Sequence, residues 1–283
     1  VILVDFSSIA MSSIMPQIDK FEENTDMIRH IMINIIRRYN VEHRDEYGEM
    51  VVCMDAGNTW RRQYFPNYKA NRRKNRDNSI HDWNAIFTMM NQVRDDIREL
   101  SPFRCIWVDE CEADDAIGTI VEKQMNPEPI LIVSPDGDFK QLQRYPNVKQ
   151  YSNLQKKYIV SPNPLDELHE KICKGDTGDG VPNVLSDDDV LITEGKRQTP
   201  CSKKKIVSLK EDPESLGIST AKRFARNTTL IDLTRTPDRL KDSIMDEYNK
   251  GPKGTMMSWM NYLMKNDLKL LLESASDFEV KTL

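Results

Sequence analysis

Soft and imidazole ligands are scarce in this 283-residue chain, which has five cysteines and four histidines. Cys53, Cys105, Cys111, Cys173 and Cys201 form no CxxC pair, and His30, His43, His81 and His169 form no HxH or HxxxH pair. Zinc ribbons and a disulfide framework are therefore disfavoured, and a reducing cytoplasm is the expected setting. No stretch approaches the roughly 20 apolar residues of a membrane span. Neither a GxSxG elbow nor a GxxxxGK[ST] phosphate loop occurs, which disfavours serine hydrolases and P-loop NTPases. There is no internal repeat. Val1 already lies in a strand-like run, so a trimmed preceding segment is expected, and a missing leader carries no weight.

Charge, by contrast, is abundant. Charged residues make up 30% and hydrophobic ones 39%, with a formal net charge of −5. That length and balance suit one large or two modest soluble domains whose core needs no staple. The overall acidity hides a basic segment. Between residues 60 and 76 stand Arg61, Arg62, Lys69, Arg72, Arg73, Lys74 and Arg76 with no acidic residue, interleaved with Trp60, Tyr64, Phe65 and Tyr68. Cations neutralise phosphates and rings stack on unpaired bases, so the mixture suits single-stranded nucleic acid. A solvated loop whose aromatics cover a nearby core is the alternative.

Short β-branched runs predict strands at residues 1–4, 50–54, 103–108 and 129–133. Apolar spacings of three and four predict helices over 26–39, 80–100 and 112–124. The alternation predicts an α/β fold with a mainly parallel central sheet flanked by helices, and residues 146–160 predict a hairpin. Gly175, Gly178, Gly180 and Pro182 then crowd one loop. Beyond it, helices are expected over 202–209, 219–226, 238–248 and 255–265. The expected organisation is an α/β domain of residues 1–174 and a smaller helical C-terminal domain of residues 175–283.

The acids fall at the ends of the strands. Asp5 follows the first, Asp55 the second, Asp109, Glu110, Glu112, Asp114 and Asp115 the third, and Asp136 and Asp138 the fourth. One aspartate at a strand end is commonly a turn former or helix cap. Four parallel strands, however, would deliver all these acids to one sheet edge, where ligands gather. Such a cluster needs raised pKa values or cations. Hard Mg²⁺ or Mn²⁺ ions suit oxygen ligands, and two ions about 3.5–4 Å apart clamp a phosphodiester for in-line attack.

In their order and spacing, Asp5, Asp55, Glu112-Ala113-Asp114-Asp115, Asp136-Gly137-Asp138 and Gly175-Asp176-Thr177-Gly178-Asp179-Gly180-Val181-Pro182 resemble the 5′-nuclease/flap endonuclease superfamily. Trp60-Arg61-Arg62, Tyr68-Lys69 and Tyr145-Pro146-Asn147-Val148-Lys149-Gln150 look like its T-even phage RNase H group of 5′-to-3′ exonucleases. The likeness runs over residues 5–184 and weakens afterwards. It implies a PIN-like/5′-nuclease fold in which Asp5, Asp55, Glu112, Asp114, Asp136 and Asp138 hold the metals nearest the scissile phosphate. Asp176 and Asp179 would complete a looser second site.

By the same resemblance Lys69 polarises that phosphate, with Tyr68 and Arg61 beside it, or else it tracks the DNA backbone. Arg62, Arg72, Arg73, Lys74 and Arg76 would belong to a basic arch over residues 60–77 that admits a 5′ single strand, or to a solvated bridge. The family pattern G-D-x-x-D-N-[IV]-P-G-[IV] leads directly into the hairpin of a helix-two-turn-helix. Here Asn183 takes the place of that glycine, and residues 185–200 intervene before Ser202-Lys203-Lys204-Lys205. This segment would offer helix-start amides and lysines to duplex phosphates, or is simply an exposed helix start.

The implied activity is a 5′-to-3′ exonuclease and flap endonuclease acting on RNA–DNA and DNA–DNA duplexes to remove RNA primers during replication. Two Mg²⁺ ions would serve it, with Mn²⁺ able to substitute. Its partners would be DNA and RNA–DNA duplexes with a 5′ strand or flap, a single-strand DNA-binding protein and a sliding clamp. It would act as a monomer in the host cytoplasm, with no membrane partner. Two other readings stay open: a PIN- or toprim-like nuclease acting on RNA, and a non-catalytic branched-DNA-binding module. The glycine-rich loop and basic arch distinguish the chain from a minimal PIN domain, and metal-dependent hydrolysis would exclude the second.

Overall fold

The computed structural model describes residues 1–124, 128–212 and 214–281, and the side chains of Arg73, Lys74, Asn75 and Asp77 lie outside the description. The chain begins β1 (Ile2–Asp5), α1 (Phe6–Ile14), α2 (Thr25–Tyr47), β2 (Met50–Cys53), α3 (Trp60–Tyr64), α4 (Ala70–Asp77) and α5 (Trp83–Leu100). Next come β3 (Arg104–Ile106), α6 (Ala113–Lys123), β4 (Ile130–Val133), β5 (Val148–Ser152), β6 (Lys157–Ile159) and α7 (Pro164–Lys174). The chain continues through α8 (Lys203–Glu211), α9 (Ile218–Ile231), α10 (Asp238–Lys250), α11 (Met256–Lys265) and α12 (Lys269–Glu273). A 3₁₀ turn, Gly137–Arg144, follows β4.

The six strands form one sheet in the order β3-β2-β1-β4-β5-β6. Every pairing is parallel except the β5–β6 hairpin, as the alternation of strands and helices predicts. The central strands ILVD, MVVC and ILIV are buried along their whole length, because helices cover both faces of the sheet. Ile2, Val4, Met50, Val52, Leu131 and Val133 face a core built with α1, α2 and α5. Leu3, Val51, Cys53, Ile130 and Ile132 face the opposite core, built with α6 and α10.

Residues 238–278 pack on both faces. Leu240 and Ile244 of α10 enter the core under α6, whereas Trp259, Tyr262, Leu263, Leu271 and Phe278 enter the core under α2 and α5. Each such side chain contributes about 1.5–3 kcal/mol by leaving water. All five cysteines are free. Among the described residues, no helix is long and apolar enough to cross a membrane.

Candidate active site

The carboxyl edge of the sheet gathers the acids, and most of them also start a helix. Asp5 ends β1 and caps α1, accepting from Ser8 N at 3.1 Å and Ser134 Oγ at 3.0 Å. Asp55, two residues past β2, accepts from Ala113 N at 2.7 Å and from the Ser7 hydroxyl. Glu112 and Asp115 form the capping box of α6, with Asp114 in its first turn. Asp136 caps the 3₁₀ turn and accepts from Asp138 N at 2.9 Å. Cap and candidate ligand are thus compatible roles for one residue.

The loop after α7 closes the bowl. Asp176 and Val181 pair across it, with Gly175 and Gly180 at φ +69° and +72°. A Cβ on Gly180 would stand 2.8 Å from Asn67 O, so the loop presses against the chain leading into α4. There Lys69 N donates to Asp179 O at 2.7 Å, with Lys69 itself at φ 57°. Asp5, Asp55, Asp114, Asp136, Asp138, Asp176 and Asp179 line one cavity of about 290 Å³ together with Ser7, Lys69 and Arg72. Glu112 stands just behind, accepting from Lys69 Nζ at 2.5 Å, Tyr68 Oη at 3.0 Å and Arg61 Nη1 at 3.0 Å.

Burial, then repulsion from Asp55, pushes Asp5 up to about 7. Asp114 is raised well above the usual carboxylate range by burial and by Asp136 and Asp5. Asp138 is pushed up to about 6 by burial, in spite of Lys171 beside it. Burial would raise Glu112 too, yet Lys69 and Arg61 hold it at about 2. Among the described residues, no three Asp, Glu, His or Cys side chains close on one point as a ready-made ion cage. Instead Lys69 and Arg72 reach Asp179, and Lys171 reaches Asp138 and Asp176. The donor set nevertheless fits hard divalent cations: seven carboxylates line the cavity, sulfur and imidazole are missing from its wall, and burial together with neighbouring carboxylates raises Asp5 and Asp114.

Several expected nucleic-acid contacts point inward. Arg61 is 2% exposed. It donates to Asp115 Oδ2 at 2.9 Å and Leu230 O at 3.0 Å besides Glu112, and its guanidinium lies 4.8 Å over the Trp60 ring. Tyr68 is also buried, its one hydroxyl within hydrogen-bond reach of Glu112 Oε2 at 3.0 Å and Asp179 Oδ2 at 2.9 Å. Both therefore position acids and cannot touch a strand in this conformation. Trp60 and Phe65 are buried as well, which leaves Tyr64 as the exposed ring of the four. Arg62 and Arg72 are exposed, and Arg76 is half-buried over the Phe87 ring. The side chains of Arg73 and Lys74 lie outside the described residues. The arch segment carries helical turns, α3 and α4.

Ser202, Lys203 and Lys204 are exposed at the start of α8, and Lys205 is half-buried. Asn183, in place of the family glycine, pins the intervening detour. It donates to Thr199 O at 2.8 Å and accepts from Leu185 N at 3.0 Å and Ser186 Oγ at 2.9 Å. The residue that sequence reasoning missed is Lys171. Its partners lie 33 positions before it and five after it, and no local pattern announces them.

Known proteins agree with this architecture. Residues 1–171 match the family model of the 5′-3′ exonuclease N-terminal resolvase-like domain, and residues 163–278 match that of the T4 RNase H C-terminal region. The chain belongs to the 5′-3′ exonuclease family and is a nuclease. It is 36% identical over 294 residues to the ribonuclease H of Enterobacteria phage T4, covering 98% of this chain and 95% of that protein. Among solved structures, a T5 5′-exonuclease with bound zinc ions matches with a TM-score of 0.62 and 17% identity, covering 88% of this chain and 98% of that one. A T5 flap endonuclease in a pseudo-enzyme–product complex with DNA and metal ions matches with a TM-score of 0.58 and 16% identity, covering 87% and 98%.

Proposed function

We propose that the chain is a divalent-metal-dependent 5′-to-3′ exonuclease and flap endonuclease that hydrolyses RNA–DNA and DNA–DNA duplexes and removes RNA primers during replication. One observation carries this reading: seven carboxylates from three strand ends, α6 and the 176–179 loop line a single cavity whose wall also holds Lys69 and Arg72. The name of the T4 relative supports the RNA–DNA substrate, and the names of the T5 structures support 5′-exonuclease and flap-endonuclease activity on DNA with divalent metal ions.

Asp5, Asp55, Glu112, Asp114, Asp136 and Asp138 would hold the metals nearest the scissile phosphate, and Asp176 and Asp179 would complete the looser second site. Bound there, Mg²⁺ or Mn²⁺ would activate water at neutral pH and neutralise charge on the phosphate. Lys69, its ammonium fixed by Glu112 in the wall of the cavity, donates to a phosphate oxygen as negative charge builds there. Arg62, Arg72, Arg73, Lys74 and Arg76 attract the 5′ strand to the arch. The Ser202–Lys205 start of α8 meets the duplex backbone. Residues 1–174 serve as the nuclease body and residues 175–283 as the duplex grip, braced where α10 and α11 pack on the sheet.

The test is cleavage of 5′-labelled flap, nicked and RNA-primed substrates in Mg²⁺ and in chelator. Asp136→Asn should slow cleavage by about 1,000-fold or more while leaving flap binding within about threefold. Parental cleavage by Asp136→Asn, or undiminished cleavage in chelator, sinks the proposal.

A further inference from the structure

Lys171 of α7 lines the groove beside the acidic bowl and reaches two of the bowl's acids. Its ammonium contacts Asp176 Oδ2 at 2.7 Å and also meets Asp138. These two acids come from separate elements, the 3₁₀ turn after β4 and the loop after α7. In the reading above they serve the inner and outer ions respectively, so one ammonium spans both sets. Lys171 is 30% exposed, Asp138 14% and Asp176 21%. Water therefore reaches the contact only in part.

A lysine suits temporary duty of this kind. It is a point charge with three donors on a flexible stem, with no coordination geometry to satisfy. It also has somewhere to go. Glu167 lies four residues earlier on the same helix, the spacing at which side chains meet on a helix face. Glu167 and Lys171 both line a groove of about 370 Å³ that adjoins Asp138. At present Glu167 is held by Lys140 and Ser161.

We propose that Lys171 is a built-in counter-ion: it holds Asp138 and Asp176 together in the ion-free protein, competes with the divalent ion for them, and turns toward Glu167 when the ion binds. This inference rests on the reading of the bowl as a divalent-ion site. A lysine with a merely structural role predicts the opposite result on removal, a looser site with weaker ion binding.

The test is calorimetric titration of chelator-stripped parent, Lys171→Met and Lys171→Arg with Mn²⁺, each first shown to be folded by circular dichroism. Lys171→Met should bind Mn²⁺ about tenfold more tightly, the size of one charge competition partly screened by solvent. Its ion-free form should melt at a lower temperature than the parent. Lys171→Arg keeps the charge and should stay at or below parental affinity. If Lys171→Met does not fold, Lys171→Gln must show the same tightening. Parental or weaker Mn²⁺ affinity in the folded neutral variant overturns the inference. Absence of Mn²⁺ uptake by the folded parent and the folded neutral variant alike overturns the divalent-ion reading itself.

Discussion

The two sides of the acidic bowl are built on opposite principles. On one side, Glu112 and Asp179 are bound to Lys69, Arg61, Arg72 and Tyr68, so each buried charge has its counter-charge within the fold. There, in spite of burial, the Glu112 carboxyl is held at about 2. On the other side, Asp5 accepts from a backbone amide and a serine and has no cationic partner among the described residues, and Asp114 faces Asp136 and Asp5, so burial and like charge push both upward. The same residue types thus do two jobs. The paired side is already charge-balanced and holds the arch base to α6, so an ion drawing on Glu112 or Asp179 competes with Arg61, Lys69 and Arg72, whereas the bare side carries repulsion that an added cation relieves.

The comparison breaks most severely on the paired side. Arg61→Met should lower the unfolding free energy by about 3–5 kcal/mol, because Asp115 and Glu112 are left buried without their partner. Urea unfolding measures it. A loss below about 1 kcal/mol would mean that the Arg61 network is not what joins α3 to α6.

The bare side should respond to pH with the opposite sign. Asp5 is raised from 3.8 to about 7, so the folded protein keeps a proton that the unfolded chain has released. Its contribution to stability is therefore full below pH 4 and is lost as the pH rises through about 7. In chelator, the parent should lose on the order of 2–4 kcal/mol more between pH 4 and pH 8 than Asp5→Asn does. Parallel pH–stability curves for the two proteins would show that Asp5 is not under strain.

These contrasts mark what the sequence could convey. The strands were readable because β-branched runs buried on both faces look alike in any parallel sheet, and their shared edge follows from the topology. The acids converge for that reason. The inward turn of Arg61 and Tyr68 was not readable, since a basic, aromatic segment has the same composition whichever way it faces. Asp115, 54 positions after Arg61, decides the direction. Helix α1 was hidden by Ser7, Ser8, Ser12 and Ser13, weak helix formers, and it is held by the burial of Phe6, Ile9, Ala10 and Ile14. Helix α7 did leave a signal, Pro164 at its start and Gly175 just past its end around Leu168 and Ile172, and that punctuation went unread.

The comparison narrows to its finest point at two adjacent arginines. Arg61 is buried among acids and Arg62 is exposed beside it, although composition alone places both in one basic run. Arg62→Met should therefore leave stability within about 0.5 kcal/mol of the parent, as for surface substitutions generally. Its effect belongs to the strand: flap binding should weaken about two- to fivefold, and the slope of log affinity against log salt should fall by about 0.7–1, one phosphate contact. Fluorescence anisotropy of a labelled flap across a KCl series reads both quantities. An unchanged slope would move the path of the 5′ strand away from α3, while an Arg62→Met loss of stability matching that of Arg61→Met would erase the distinction between the two neighbours.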